Sequence, residues 1–437
     1  MNCSRRCFIG GSLAAVVSPP GGRLTSPIAA GGDGKFFEPG GILPVHDGYD
    51  LIVAGGGPAG ISAAVAAART GMKVAILELH GSLGGVWTSG LLGCVLDFDQ
   101  CATTREITDR LDALGARHES DRSTYTYEPE YMKLVLDGMC LDAGVDVRLH
   151  THVVAAWRDA SGRRIETIVT ESKSGREAWR APIFVDATGD GDLAALSGCG
   201  FDIGDGRGND QPASMCVLLA VNDAKALEPY SVFRRPWLEA TDAFAAELRR
   251  AGVKSSYRRP TLYVLHPHLV LMMANHEYHV RIDGAASVTV ATMRAREENF
   301  RLVDALSRLG GVWNGVRLVA TPEQLGHRTA RRIHGRASVV TKDLIEGARH
   351  PDGVCTAHFT VDIHAPDENA PATDDRNIST KPYQIPLRAL RARDVDNLWM
   401  AGRCLSGDFV SHSSYRVTGV AVATGEAVGR AVAKGPL

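Results

Sequence analysis

The feature that most constrains the fold is a glycine-rich turn between an apolar segment and an alanine-rich segment. Residues 49–54 read Tyr-Asp-Leu-Ile-Val-Ala, a β-branched and apolar run with the length of a buried strand. Gly55, Gly57 and Gly60 follow at once, with the spacing G-x-G-x-x-G. Residues 61–70 then favour a helix, and residues 73–78 predict a second strand. A βαβ unit of this kind predicts an α/β protein with a parallel sheet.

Each position of this turn has a physical role in binding the pyrophosphate of a dinucleotide. Gly55 permits the tight turn, Gly57 lets backbone N–H groups approach the phosphates, and Gly60 lets the helix pack on the strand. Ala59 lies at the helix N-terminus, whose partial positive charge favours a phosphate. Glu78, at the end of the second strand, would accept hydrogen bonds from ribose hydroxyls and would repel the 2′-phosphate of NADP. A glycine turn of an ordinary α/β protein is the alternative.

The composition excludes several classes of protein. The 437 residues include 44% hydrophobic and 22% charged residues, as in ordinary globular proteins. There are 48 Lys and Arg residues against 50 Asp and Glu residues, a net charge of -2 without the basic excess that nucleic acids attract. No segment provides the roughly 20 apolar residues of a membrane-spanning helix. We therefore expect no nucleic-acid partner and no integral membrane segment.

The N-terminus predicts an export signal. Arg5 and Arg6, followed by Cys-Phe-Ile and the weakly apolar residues 10–17, resemble a twin-arginine signal. Because such a signal exports folded protein with its cofactor bound, we expect a periplasmic or exported protein. The alternative is a cytoplasmic protein in which the two arginines occur by chance. We assign residues 1–30 to the signal and residues 31–47 to a leader rich in Gly and Pro.

Further segments resemble those of one family, in the same order along the chain. They are residues 83–91, 185–192, 326–333, 362–364, 383–386 and 397–416. With the glycine turn, they resemble the FAD-dependent oxidoreductase family of the glutathione-reductase-like flavoprotein superfamily, over about residues 48–437. The resemblance implies a Rossmann-like FAD-binding domain, split in sequence, with an inserted α+β substrate or cap domain. The expected ranges are 48–205 and 381–437 for the FAD-binding domain, 206–365 for the cap and 366–380 for a linker.

The resemblance also implies two loops that hold FAD beyond the first turn. Gly84, Gly85 and Thr88 belong to a loop that wraps the pyrophosphate and the ribityl chain. Thr188 and Gly189 end a strand against the flavin nucleotide. Glycine and small residues suffice at most of these positions because the contacts are made by the backbone.

The adenine, ribityl and flavin contacts implied by the resemblance lie further along the chain. Val153 occupies the position that contacts adenine through its backbone. Gly402 and Arg403 lie where the superfamily holds the ribityl chain, although the superfamily usually has an acid at the position of Arg403. Thr418 and Gly419 begin a helix predicted over residues 417–432, whose N-terminus would face the flavin and stabilise its negatively charged reduced form.

Candidates for substrate chemistry are few. Hydride loss from a C–H bond requires that a proton leaves the attached O–H or N–H group, and histidine suits this step near neutral pH. His412 and His364 are the candidate proton acceptors and Arg416 the third candidate catalytic residue, with a structural role as the alternative for each histidine. The four-residue spacing of Arg328 and Arg332 is more typical of a salt-bridged helix face than of an anion clamp.

Two missing patterns shape the expected function. No second βαβ unit with a terminal acid follows Gly189, so we expect electrons to come from the substrate rather than from NAD(P)H. No cysteines have the spacing of a C-x-x-C pair or a zinc site, which argues against a disulfide reductase and against a metal. His80 is a candidate for covalent flavin attachment.

We therefore predict that FAD accepts a hydride at N5 from a small organic substrate and that oxygen, a quinone or a redox protein reoxidises it. Sugars, polyols, amines and carboxylates all stay open as substrates. The alternatives are a monooxygenase, a redox-neutral flavin enzyme and a non-catalytic protein that retains the FAD-binding fold.

Overall fold

The computed structural model describes residues 41–98, 101–120, 123–206, 210–370 and 373–435, and the backbone of residues 30–31 and 35–36. Residues 1–29 of the predicted export signal lie outside the described residues, so export stays a prediction. The chain divides into two units, Met1–Ile42 and Leu43–Leu437. In the first unit, two short strands pair in antiparallel fashion.

The helices and strands are as follows in chain order. The helices are α1 (Pro58–Ala68), α2 (Ala102–Ala113), α3 (Pro129–Ala143), α4 (Asp192–Leu196), α5 (Trp237–Arg250), α6 (Ala285–Leu309), α7 (Thr341–Glu346), α8 (Phe409–Tyr415) and α9 (Thr418–Val432). The strands are β1 (Ala30–Gly31), β2 (Lys35–Phe36), β3 (Val45–His46), β4 (Leu51–Ala54), β5 (Val74–Leu77), β6 (Cys94–Leu96), β7 (Arg117–Ser120), β8 (Thr124–Tyr127), β9 (Asp146–Arg148), β10 (His152–Arg158), β11 (Ile165–Ser172), β12 (Gly175–Trp179), β13 (Ile183–Asp186), β14 (Phe201–Asp202), β15 (Cys216–Ala220), β16 (Thr261–His266), β17 (Leu269–Met273), β18 (Arg317–Ala320), β19 (Arg332–Ile333), β20 (Gly353–Ala357), β21 (Ile363–His364), β22 (Thr373–Asp374), β23 (Tyr383–Pro386) and β24 (Leu398–Met400).

A five-stranded parallel sheet organises the second unit. Its strand order is β24-β13-β4-β5-β9, and every neighbouring pair is parallel. All residues of β4 and β5 are buried, as expected for a parallel sheet that is covered on both faces. The chain runs outward from β4 to β5 and β9 and then returns to β13 on the other side of β4. The α/β class and the Rossmann-like sheet predicted from the sequence are confirmed.

Helix α1 packs on this sheet, and α9 packs on α1 in direct backbone contact. A Cβ atom on Gly425 would lie 2.1 Å from the carbonyl oxygen of Ala59, and one on Gly429 would lie 2.4 Å from that of Ala63. Real Cβ atoms do not approach so closely, so glycine is required on this face of α9. The contact joins a helix near the start of the described chain to the helix that ends it.

The close packing of α1 and α9 predicts the sign of a stability change. Ala replaces Gly in a helix with a gain of up to about 1 kcal/mol, but at Gly425 the added methyl group must push the helices apart. We expect Gly425→Ala to lower the free energy of unfolding by about 1–3 kcal/mol, measured by urea denaturation. Gly138→Ala is the control, because its Cβ would meet only the side chain of Arg110, at 3.3 Å. A Gly425→Ala variant more stable than the parent would contradict the packing.

Residues 213–325 have an apolar core of their own. An antiparallel sheet of order β16-β17-β15-β18 packs against α5 and α6. Trp313 stacks obliquely on Tyr230 at 5.3 Å and on Phe244 at 5.6 Å, between ring centroids. This is the mixed strand and helix content that the sequence indicates for residues 206–365.

The core of residues 213–325 does not include all of the predicted cap, residues 206–365. Val339, Leu344 and Ile363 pack with the core around α1 and α9 rather than with the core of residues 213–325. The predicted limits, including the end of the cap at residue 365, stay predictions. No described helix is both long and apolar enough to span a bilayer.

Candidate functional site

A cleft lies along the carboxyl edge of the parallel sheet and encloses, with the open solvent at its mouth, about 1230 Å³. Glu78 follows β5, Gly55 follows β4, Thr188 lies just after β13, and Gly402 lies just after β24. Because neighbouring strands lie about 4.8 Å apart, the three spacings from β5 to β24 cover about 14 Å. A long ligand would therefore extend along this edge, with Glu78 at one end and Gly402 at the other.

The cleft brings together most residues predicted to bind FAD. Those that line it are Gly55, Gly57, Ala59, Glu78, Gly85, Val153, Thr188, Gly189, Gly402, Arg403 and Thr418. The others, Gly60, Gly84, Thr88 and Gly419, are not part of the lining. Contacts between these four residues and a cofactor stay a prediction. Their positions show how the loops and helices around the cleft are packed.

The glycine turn fits an approaching phosphate. A Cβ atom on Gly57 would meet no atom within 4 Å, so this position faces open space. By contrast, a Cβ on Gly60 would lie 1.9 Å from the carbonyl oxygen of Gly55, and Gly55 itself has φ of +98°. No side chain caps the N-terminus of α1, which leaves its N–H groups available to an anion. The fold therefore requires glycine at positions 55 and 60. At position 57, glycine keeps the space in front of the helix N-terminus open.

Glu78 is buried at the opposite end of the cleft from Gly402. Its carboxylate accepts hydrogen bonds from the N–H groups of Gly56 at 2.6 Å and His80 at 2.7 Å. Burial raises the pKa of Glu78, although these two bonds favour its charged form. Since a carboxylate has about four acceptor positions, others stay available for ribose hydroxyls. His80, the candidate for covalent flavin attachment, also lines the cleft, next to Glu78.

These contacts predict a loss of affinity on mutation. We expect Glu78→Ala to raise the Kd for FAD at least about tenfold, or 1.4 kcal/mol, because the ribose loses its acceptor and the Gly56 N–H loses its partner. Titration of apoprotein with FAD, followed by flavin fluorescence, measures the effect. The control is Glu130→Ala, whose side chain is 77% exposed, pairs with Lys133 and is not part of the cleft lining. An unchanged Kd in Glu78→Ala would mean that the ribose lies elsewhere.

A second loop supports the first turn. The N–H group of Gly84 donates to the carbonyl oxygen of Gly56 at 2.7 Å, and Gly84 has φ of +107°. Thr88 donates its hydroxyl to the carbonyl oxygen of Leu83 at 2.5 Å. Gly84 and Thr88 therefore hold the loop in place without lining the cleft, and Gly85, from the same loop, lines it.

The N-terminus of α9 borders the cleft at Thr418. Thr418 lines the cleft, and Val417, the residue before the helix, provides no side-chain cap. The exposed N–H groups carry partial positive charge that stabilises a nearby anion. Gly419 has a packing role, because a Cβ there would lie 2.0 Å from the carbonyl oxygen of Asp97.

Arg403 joins two walls of the cleft. It donates to Asp190 at 2.5 Å, to the carbonyl oxygen of Gly189 at 3.0 Å and to that of His327. Asp190 also lines the cleft, so a carboxylate stands beside Gly402 although the residue after it is an arginine. The sequence analysis missed Asp190, whose signal is the run of two Gly-Asp pairs at residues 189–192.

A buried carboxylate that the sequence analysis also missed holds the strand end at Thr188. Asp186 accepts hydrogen bonds from the hydroxyl of Thr188 at 2.7 Å and the N–H group of Ala194 at 2.8 Å. Burial raises the pKa of Asp186 to about 6. Asp186 thus fixes the loop that lines the cleft without reaching the cleft itself.

Six buried or partly buried side chains form a group beside the cleft. We call this group the polar cluster. Its members are Tyr257, His276, Arg328, Asp362, His364 and Arg416. Arg416 lines the cleft and donates to the carboxylate of Asp362 at 3.1 Å. The same carboxylate lies 3.2 Å from Nε2 of His364. His276 stacks on Tyr257 at 4.0 Å, and its ring centroid lies 5.1 Å from that of His364.

Burial, assisted by the charge of Arg328, keeps His364 neutral. Burial lowers the pKa of His364 to about 4; the positive charge of Arg328 acts in the same direction, and Asp362 opposes them. Burial raises the pKa of Asp362, but His364, Arg416 and Arg328 outweigh it and hold the pKa below its usual range. The pair is therefore a neutral imidazole hydrogen-bonded to a carboxylate, with Nδ1 of His364 buried and without a partner.

His412 has a different environment. It lies in α8, is fully buried and is not part of the cleft lining. Neither ring nitrogen makes a well-formed hydrogen bond. Burial and then the charges of Arg332, Arg416 and Arg403 lower its pKa well below the ordinary value, with weak opposition from the backbone of Arg403. Its predicted role as proton acceptor stays a prediction.

The prediction that Arg328 and Arg332 lie on one face of a helix is wrong. Residues 326–336 contain the short strand β19 and no helix, and both Arg328 and Arg332 are buried. Arg332 donates to the carbonyl oxygens of Gly407 and Gly204. In the described part of the chain, no group of three His, Cys, Asp or Glu side chains is arranged to hold a metal ion.

Known proteins resemble this chain over different parts of its length. The family model described as FAD dependent oxidoreductase matches residues 50–434. Pseudooxynicotine dehydrogenase from Pseudomonas sp is 40% identical over 93 residues, which are 21% of this chain and 18% of that protein. Thiamine thiazole synthase from Archaeoglobus fulgidus is 33% identical over 98 residues, 22% of this chain and 36% of that protein. The matched segments thus span between about a fifth and about a third of the length of these two curated relatives.

Among solved structures, a geranylgeranyl bacteriochlorophyll reductase-like protein from Thermoplasma acidophilum is 11% identical. The likeness covers 90% of this chain and 78% of that chain, with a TM-score of 0.45.

Proposed function

Because the chain belongs to the FAD-dependent oxidoreductase family, we propose that it oxidises a small organic substrate by hydride transfer to FAD. The pair of Asp362 and His364, held next to Arg416 at the cleft, is the observation that carries this proposal. Such a pair can accept a proton while a substrate C–H bond breaks. Oxygen, a quinone or a redox protein would then reoxidise the cofactor.

The residues of the cleft suit the pyrophosphate, the ribose and the ring system of FAD. The N-terminus of α1 and the open space at Gly57 would bind the pyrophosphate, and Glu78 would bind the ribose. The N-terminus of α9 at Thr418 would favour negative charge on the ring system. When bound there, FAD supplies a two-electron hydride acceptor.

We propose that His364, rather than His412, accepts the proton. Asp362 faces Nε2 of His364, so it orients the ring and stabilises its protonated form, and Nδ1 is left to take the proton. His412 is surrounded by arginines, which oppose its protonation. In the balanced reaction the C–H electron pair leaves as hydride, the O–H or N–H proton passes to His364, and a C=O or C=N bond forms.

The low pKa of His364 predicts the pH dependence of the reaction. A base with a pKa of about 4 is unprotonated at neutral pH, so kcat/KM should be flat there and fall only as the pH drops toward 4. Because Arg328 lowers this pKa, Arg328→Met should move the acidic limb toward neutral pH. A limb near the ordinary value of about 6.5 in the parent, unmoved in the variant, would assign the base to another group.

An anaerobic screen tests the proposed function. Oxidised holoenzyme is mixed with sugars, polyols, amines and organic acids, and the loss of oxidised-flavin absorbance is followed without oxygen or nicotinamide. We expect at least one compound to bleach the flavin. If nothing bleaches it and NADH or NADPH does, the protein is a reductant-fed monooxygenase; if neither does, it is a redox-neutral or non-catalytic protein.

A further inference from the structure

Four buried nitrogen atoms lie in and next to the polar cluster without hydrogen-bond partners. They are Nε2 of Gln211, Nε2 of His276, Nδ1 of His364 and Nε of Arg416. They belong together, because the side-chain oxygen of Gln211 accepts from the backbone N–H of His364 at 2.9 Å and the two histidine rings are neighbours. A buried polar atom without a partner destabilises the folded protein. Four at one place indicate that a polar ligand completes the group.

The charges of the polar cluster indicate the sign of that ligand. The guanidinium of Arg328 donates to the carbonyl oxygen of Pro212 at 2.7 Å and the hydroxyl of Ser214 at 2.8 Å, which are neutral acceptors. No carboxylate of the described residues lies within ion-pair distance of it. Asp362 is the acid that faces both Arg328 and Arg416.

The two histidines add no charge. Burial, and then Arg328, lower the pKa of His276 well below its ordinary value, and His364 is neutral as well. Two guanidinium charges against one carboxylate leave one positive charge without a partner. An uncompensated buried charge costs several kcal/mol, so a monovalent anion would stabilise the polar cluster.

We propose that the polar cluster binds the carboxylate of the substrate, and that the substrate is a small monocarboxylic acid with a hydroxyl or amino group on the carbon that is oxidised. A carboxylate brings one negative charge and about four acceptor positions, which suits the unpartnered N–H donors of Gln211 and Arg416. A phosphate dianion would overcompensate the charge, and a neutral sugar or polyol would leave it uncompensated. The oxidation step rests on the proposed function, whereas the binding of the carboxylate does not.

The position of the polar cluster suits such a substrate. Arg416 lines the cleft directly, and Arg328 follows His327, which also lines it. A carboxylate held between the two arginines would therefore lie beside the cleft rather than in the protein core. Nδ1 of His364 is then left to accept the proton of the hydroxyl or amino group.

Binding of non-oxidisable probes to the holoenzyme tests the inference. Oxidised holoenzyme is titrated with propionate, with propionamide of nearly the same shape and with inorganic phosphate, and the flavin spectrum and the heat of binding are recorded. We expect propionate to bind at least about tenfold more tightly than propionamide and more tightly than phosphate. Arg328→Met should weaken propionate at least about tenfold and leave propionamide unchanged, and Arg328→Lys should restore part of the affinity.

Arg336→Met is the matched control, because Arg336 is partly exposed and already pairs with Asp396 at 2.9 Å. Equal binding of propionate and propionamide by the parent overturns the inference, even if no variant folds. Tighter binding of phosphate also overturns it. So does a change in the flavin reduction potential in Arg328→Met with unchanged propionate affinity, since the charge would then serve the cofactor.

The same experiments separate the two proposals. If propionate binds as expected but no acid bleaches the flavin, the carboxylate site stands and the oxidation falls. If a neutral alcohol bleaches the flavin and propionate does not bind, the oxidation stands and the carboxylate site falls.

Discussion

Gly57→Leu is expected to yield a folded protein without flavin. A Cβ atom at this position meets no protein atom within 4 Å, so we expect the fold to tolerate a side chain there. It would occupy the space in front of the α1 N-terminus, where the pyrophosphate must approach the backbone N–H groups. We expect FAD affinity to fall by at least about 100-fold, or 2.7 kcal/mol. Flavin content after purification in excess FAD measures the loss, and circular dichroism checks the fold.

Gly60→Leu provides the contrast within the same turn. Its Cβ would lie 1.9 Å from the carbonyl oxygen of Gly55, so we expect this variant to fail in folding rather than in binding alone. Full flavin occupancy in Gly57→Leu would show that the pyrophosphate does not lie at this turn.

His364→Ala is expected to slow flavin reduction by substrate by about 100-fold or more, the usual effect of a lost general base. His364 has both a carboxylate partner and a free ring nitrogen, so its removal takes away the proton acceptor that the geometry supplies. Anaerobic stopped-flow absorbance measures the rate, with the flavin content of each variant determined beforehand.

His412→Leu is the matched control. It replaces a buried ring that makes no well-formed hydrogen bond by an apolar side chain, and we expect less than about a tenfold change in rate. Parent-like reduction by His364→Ala, together with a large loss in His412→Leu, would reverse the assignment.

The start of the parallel sheet and its first helix could be predicted because their signals are local. The apolar run of β4, the glycines after it and the alanine-rich α1 lie within one short stretch of the chain. The helix predicted over residues 417–432 corresponds closely to α9 for the same reason.

The polar cluster as a whole could not be predicted, because, apart from Asp362 and His364, its members are close only in the folded chain. Tyr257, His276 and Arg328 lie in separate segments without a shared motif. The spacing of Arg328 and Arg332 favoured an exposed helix face, since spacing alone does not report burial. The pairing of Arg403 with Asp190 joins residues 213 positions apart, so no local pattern could reveal it.

The central claim is that an organic substrate itself delivers electrons to FAD in this protein. The most direct measurement is an anaerobic titration of oxidised holoenzyme with a substrate from the screen, without nicotinamide, followed by flavin absorbance and by analysis of the product. The account predicts that about one equivalent of substrate per flavin removes the oxidised absorbance and yields an equal amount of oxidised product. An oxidised spectrum that persists until NADH or NADPH is added would contradict it.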